Sequence, residues 1–161
     1  MIKTQEGDLL EAFDNGDIDI LISVCNSKKT MGAGIALAIK QAFPEAHEAD
    51  FAVEGEPELG TFSVARVGKG NIINLYAQKG IGNDGTVKGR NARYDALVDG
   101  LSDIRDGVLN KIGSSDKKVK IGVPHGMASD LAGGQFKIVT AILESIFEED
   151  KNIEVIIYRI V

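Results

Sequence analysis

The segment SVCNSKKTMGAGIALAIKQAF, Ser23 to Phe43, decides the fold. A β-branched run ends in Cys25-Asn26, a polar loop follows, and Gly32-Ala33-Gly34 opens an almost wholly apolar helical stretch. The first N–H groups of a helix have no intrahelical partner and carry partial positive charge, so glycines between a strand and a helix suit an anion. A second segment, VPHGMASDLAGGQF at Val123 to Phe136, has the same order of strand, glycines and helix. Ligands of open α/β sheets bind beyond the carboxyl ends of the strands. Two such loops facing one crevice suit a diphosphate, with Gly32, Gly34, Gly126, Gly133 and Gly134 allowing close backbone approach. The alternative is a pair of ordinary turns whose glycines serve tight packing. A dinucleotide-binding G-x-G-x-x-G is excluded, because Leu37 stands where the third glycine belongs and Asn26 to Met31 separate the strand from the glycines. Walker-type and G-x-S-x-G motifs are absent as well.

Working outward, strands are expected at 2–5, 18–24, 61–67, 71–77, 119–123 and 153–161. The second, fifth and last are apolar on both faces for part of their length, which marks central strands covered by helices. Helices are expected at 8–13, 33–43, 44–53, 91–109 and 135–147. Pro44 stops one helix and starts the next. This alternation predicts a single α/β domain over residues 1–161, with a mixed, mostly parallel central sheet between helix layers.

The chain has 161 residues, 43% of them hydrophobic, and a net charge of −6. That length is enough for one domain with a real core. The acidic balance disfavours broad nucleic-acid binding, which draws on a basic surface. The apolar runs fall short of the roughly 20 residues a membrane span needs. The first eight residues lack the apolar stretch of a signal peptide, so a cytoplasmic location is expected. A lone cysteine, Cys25, leaves no intramolecular disulfide and no multi-cysteine metal site. No metal and no cofactor are expected, since no His/Cys/carboxylate group has ligand spacing.

Several motifs together resemble the macro domain family. They are Glu-Gly-Asp-Leu at 6–9, Cys-Asn at 25–26 with Met-Gly-Ala-Gly-Ile-Ala-Leu-Ala-Ile-Lys at 31–40, and Leu-Gly-Thr-Phe at 59–62. Ile-Asn-Leu-Tyr-Ala-Gln at 73–78, Arg-Tyr-Asp-Ala-Leu at 93–97 and Pro-His-Gly-Met-Ala-Ser-Asp-Leu-Ala-Gly-Gly-Gln-Phe at 124–136 complete the set. The order is similar to the branch of ADP-ribose 1″-phosphate phosphatases and ADP-ribosyl-glutamate hydrolases. The resemblance implies a macro-type three-layer α/β/α sandwich and ADP-ribose, or an ADP-ribose derivative, as ligand. It implies that Asp8 accepts from the adenine amino group beside Leu9, with Tyr158 against the adenine. Gly32, Ala33, Gly34 and Ile35 would line the diphosphate and distal ribose. Ser129, Asp130, Leu131, Ala132 and Gly133 would close over the phosphates, and Asn26 would meet the distal ribose or a water. From the residues alone, Asp8 is equally a helix N-cap and Tyr158 a half-buried strand residue.

The chain departs from the branch where catalysis is concerned. The glutamate-hydrolysing members carry a lysine and an aspartate where this chain aligns Gln78 and Ala132, with Lys79 and Asp130 displaced by one and two residues. Some phosphatase members carry a histidine where Ser23 stands. The candidates left for handling a catalytic water are Asn26, His125 and Asp130. For His125 the alternative is a packing or turn-capping role, and for Asp130 a cap of the following helix. Cys25 lacks the arginine-bearing phosphate cradle of a nucleophilic cysteine and reads as a small buried residue. His47 reads as solvated on an acidic helix. The stretch 78–93, rich in Gly, Lys and Arg, would cover the distal ribose with Lys79, Lys88 or Arg90, or else be a solvated loop. The leading expectation is removal of phosphate from ADP-ribose 1″-phosphate. The rivals are removal of ADP-ribose from proteins or nucleic acid, and a non-catalytic ADP-ribose reader.

Overall fold

The computed structural model describes residues 1–28, 31, 34–79, 93–127 and 135–160. The elements, in chain order, are β1 (Ile2–Glu6), α1 (Leu9–Asp14), β2 (Ile20–Asn26), α2 (Gly34–Ala42), α3 (Pro44–Phe51), β3 (Phe62–Val67), β4 (Gly70–Gln78), α4 (Tyr94–Ile112), β5 (Val119–Pro124), α5 (Phe136–Phe147) and β6 (Ile153–Arg159). The sheet order is β1-β6-β5-β2-β4-β3. Every neighbouring pair is parallel except the hairpin of β3 and β4.

Helices cover both faces. One core holds Leu97, Leu101 and Ile104 of α4 and Val139, Leu143 and Phe147 of α5 against Ile22, Leu75, Ile121 and Val155. The other holds Leu9, Ala12 and Phe13 of α1, Ile39 of α2 and Ala46 of α3 against Leu21, Ile72 and Ile156. Period-2 alternation along β2 and β6 sends successive apolar residues into the two cores, as strands buried on both faces require, whereas β5 puts Val119, Ile121 and Val123 into one of them.

The expected strands all form, with shifted ends. β2 begins at Ile20 and runs on to Asn26, and β6 stops at Arg159. α1 starts at Leu9 because Asp8 is its N-cap, and α4 continues to Ile112, closed by Gly113. The expected helix starts at 33 and 91 lie outside the described residues.

β4 is the departure of most consequence. It is a central strand, yet Asn74 and Tyr76 interrupt its apolar run. Both are buried and internally bonded: Asn74 donates to the Ala46 carbonyl at 2.9 Å and to Ser63 Oγ at 3.1 Å, and the Tyr76 hydroxyl donates to Asp50 at 2.7 Å. A buried polar side chain with hydrogen-bond partners avoids the desolvation penalty that an unpaired one incurs. These bonds fasten α3 to the sheet.

The ladder between β2 and β5 has two residue pairs, Ile20 with Ile121 and Leu21 with Gly122. β2 continues five residues past Leu21, so the two strands part toward their carboxyl ends. A crevice belongs at such a point in an open α/β sheet.

Candidate functional site

A cleft of about 460 Å³ opens at the carboxyl edge of the sheet. Asp8, Leu9 and Leu10 reach it from the start of α1, and Gly34, Ile35 and Ala38 from the start of α2. Pro124 and His125 come from the end of β5, and Tyr158, Arg159 and Ile160 from the end of β6. The volume lies within the usual range for a small-molecule site, roughly 300–1,000 Å³.

Local sequence explains each placement. Asp8 is extended and caps α1, its Oδ1 accepting from Leu10 N–H at 2.9 Å and Glu11 N–H at 3.4 Å. Both bonds use one oxygen, and Asp8 is among the residues that line the cleft. Leu9 is buried against β5. It lies over Gly122, where an added Cβ would stand 2.8 Å from Leu9 Cδ1. Tyr158 is buried, and burial first, then Asp17 and Glu154, raise its phenol pKa above the usual range, so it stays neutral. Gly7 N–H donates to the Arg159 carbonyl at 3.0 Å, and His125 N–H to the Tyr158 carbonyl at 2.8 Å. These two bonds bind the rim of the cleft together. The His125 side chain is exposed, and its ring lies 4.6 Å from that of Phe136.

Gly34 opens α2 with φ +57°, a conformation that L side chains seldom adopt. Three residues before it, Met31 has φ +44° and is buried in the core beneath α1 and α2. Gly32, Ala33, Ser129, Asp130, Leu131, Ala132 and Gly133 lie outside the described residues, as do Lys88 and Arg90.

Asn26 ends β2 at a register shift, and its Oδ1 accepts from Lys28 N–H at 2.8 Å. The side chain thus shapes the turn leaving the strand. Lys79, just past β4, is exposed and pairs with Glu56 at 3.7 Å. Cys25 is buried, and its thiol pKa is pushed up to about 12, by desolvation first and then by Asp50. A thiol so protonated is no nucleophile at neutral pH. Ser23 is fully buried in the sheet and does not reach the cleft. His47 is half-buried on α3, with its ring 6.1 Å from that of Phe51, which corrects its reading as a solvated residue. Among the described residues, no group of three or more His, Cys, Asp or Glu could hold a metal ion, and no helix is long and apolar enough to cross a membrane.

Sequence reading thus placed Asp8, Leu9, Gly34, Ile35, His125 and Tyr158 around a ligand, and these six line one cleft. It missed Leu10, Ala38, Pro124, Arg159 and Ile160. Ala38 was within reach of the pattern, lying one helical turn after Gly34.

No family model matches the chain. A 17.5 kDa protein from the tk-vs intergenic region of Enterobacteria phage T4 is 28% identical over 153 residues, covering 90% of this chain and 89% of the phage protein. The macrodomain of Mycobacterium tuberculosis DarG is 25% identical and superposes with a TM-score of 0.78, over 98% of this chain and 97% of its own. The chain has the macrodomain fold. Within that fold its cleft occupies the carboxyl edge, between the β6–α1 end and the start of α2. Thermosipho africanus DarTG, a structure in complex with ADP-ribose, is 17% identical with a TM-score of 0.70, over 98% of this chain and 41% of that one.

Proposed function

We propose that this macrodomain binds ADP-ribose along the carboxyl edge of its sheet and removes the phosphate of ADP-ribose 1″-phosphate. The observation that carries the reading is the cleft itself. At one end Asp8 offers a carboxylate beside an apolar bed of Leu9, Leu10 and Tyr158, which suits a purine with an amino group. The next wall is the glycine-opened start of α2, whose unpaired N–H groups suit the diphosphate. Similarity to the ADP-ribose-bound Thermosipho africanus protein supports the same ligand.

In the reaction, water attacks phosphorus, the bond from phosphorus to the sugar oxygen breaks, and that oxygen leaves with a proton. The products are ADP-ribose and inorganic phosphate. Asn26 and Asp130 are the candidates to orient or deprotonate the water, and the position of His125 takes it off that list. Asn26, at the end of β2, lies on the distal side, whereas His125 stands beside Tyr158 at the apolar end.

A second reading, a non-catalytic ADP-ribose reader, is favoured by the burial of Ser23 and the protonated thiol of Cys25. Neither can supply chemistry to the cleft. The test is calorimetry with ADP-ribose together with phosphate release from ADP-ribose 1″-phosphate and release of ADP-ribose from modified protein and nucleic acid. Binding with phosphate release supports the phosphatase. Binding with release of ADP-ribose moves the assignment to the hydrolase, and binding without turnover leaves the reader. Absence of ADP-ribose binding refutes all three.

A further inference from the structure

The two parallel strands β2 and β4 end side by side, with Asn26 opposite Gln78. The loops that leave them carry Lys28 and Lys79, and both ammonium groups reach the same carboxylate, Glu56, at 3.7 Å. Glu56 comes from elsewhere, the connection between α3 and β3. It also accepts a hydrogen bond from the side chain of Ser27, a buried residue, and these contacts lower its carboxyl pKa, with the Ser27 bond first and Lys28 and Lys79 next. Glu56 therefore stays ionised through the neutral range. The side chains of Lys28, Lys79 and Glu56 are about half exposed, at 52%, 50% and 45%.

The cluster and the cleft share one edge of the sheet. From β6, where Tyr158 stands, to β4, where Lys79 follows, there are three inter-strand steps, at least roughly 14 Å at about 4.8 Å each, and more where β2 and β5 part. A lone nucleoside does not cover that distance, whereas two sugars joined by a diphosphate do. The edge is also polarised. Its β6 end is largely apolar, with Asp8, His125 and an Arg159 that pairs with Glu6 at 3.4 Å, and its β4 end carries two lysines on a single acid.

Resting on the reading that ADP-ribose occupies this edge, we infer that Lys28 and Lys79 form the subsite for an anionic group at the distal end of the ligand, and that Glu56 holds the two lysines in place until that anion exchanges with it. Among the described residues, two cations on one carboxylate leave a positive charge unbalanced. The pairs are exposed and long, so solvent screens them and an incoming dianion displaces Glu56 readily. A phosphate offers three acceptor oxygens to two ammonium groups, where Glu56 offers two. The subsite selects ADP-ribose bearing a terminal phosphate over ADP-ribose itself.

The experiment is calorimetry of the full chain with ADP-ribose and with ADP-ribose 1″-phosphate, in wild type, in the Lys28→Ala/Lys79→Ala double variant and in Glu56→Gln. The quantity read is the ratio of the two affinities. The double variant is expected to lower the preference for the phosphorylated ligand about tenfold or more, and Glu56→Gln to raise it several-fold at low salt. A ratio within twofold of wild type in either variant overturns the inference, as does parallel loss of both ligands in the double variant. Wild type that binds ADP-ribose without such changes leaves the ligand reading standing and removes only the subsite. Wild type that fails to bind ADP-ribose removes both. Because all three side chains are half exposed, circular dichroism spectra of the variants are expected to match wild type.

Discussion

Asp8 is asked to do two things at once, and the two are separable. Its Oδ1 caps α1, with one good bond at 2.9 Å to Leu10 N–H and one long bond at 3.4 Å to Glu11 N–H. The same residue lines the apolar end of the cleft. Replacing an aspartate N-cap with alanine costs about 1 kcal/mol, within a range of roughly 0.5–2. For a domain of this size that lowers Tm by about 2–4 °C. A hydrogen bond from a ligand to a charged group contributes about 1.5–3 kcal/mol, so Asp8→Ala is expected to weaken ADP-ribose binding roughly 10- to 150-fold. Asp8→Asn keeps an oxygen for the cap and for the ligand and gives up the charge. It should fall between wild type and Ala in both readings. Scanning calorimetry without ligand measures the first effect, and isothermal calorimetry with ADP-ribose the second. If Asp8→Ala lowers Tm and leaves the ADP-ribose Kd within twofold, Asp8 is a cap and nothing more. If it weakens binding at an unchanged Tm, the capping account is wrong.

Three further outcomes follow from the packing and the buried groups. Gly122→Ala puts a Cβ 2.8 Å from Leu9 Cδ1 and into contact with Ile18 Cδ1; overpacking of this kind costs about 1–3 kcal/mol, and because Leu9 lines the cleft, ADP-ribose affinity should fall with the urea midpoint. Tyr76→Phe removes the hydroxyl that donates to Asp50 at 2.7 Å and bonds Ser63 Oγ at 2.8 Å, and chemical denaturation should show a loss of about 1–3 kcal/mol. Cys25 has a folded-state pKa of about 12 against 9.0 when free. The folded state therefore keeps a proton that the unfolded chain gives up above pH 9, so stability falls as pH rises from about 9 to 12, at about 1.4 kcal/mol per unit for this one group. Cys25→Ala should flatten that part of the wild-type pH–stability curve by one proton, and an unchanged slope would refute the buried-thiol assignment.

The sheet was legible because β2, β5 and β6 are apolar on both faces for part of their length, and because Pro44 and the glycines after β2 and β5 punctuate the chain. β4 was legible as a strand but not as a central one. Asn74 and Tyr76 break its apolar run, and Ser63 on β3 and Asp50 and the Ala46 carbonyl on α3 satisfy them in the interior. Those partners come from elements that periodicity cannot pair. The cleft was partly legible for a related reason. Gly34, His125 and Asp8 are marked residue types at element ends, whereas Leu10, Ala38 and Ile160 are ordinary apolar residues whose role arises only when α1, α2 and β6 meet. Glu56 gave no signal at all, since nothing local distinguishes a glutamate in a connection from one that two distant lysines reach.

The two ends of the edge are built on different physical terms, and that bears on how activity and stability are linked. At the β6 end the cleft-lining groups belong to the core: Leu9 and Tyr158 are buried, and Asp8 caps the helix that Leu9 anchors. A substitution there alters packing and binding together. At the β4 end Lys28, Lys79 and Glu56 are half exposed and contribute little to folding. On the proposed function, discrimination among ADP-ribose derivatives can therefore change at that end with little loss of stability, while the β6 end assigned to the adenosine stays fixed by the core.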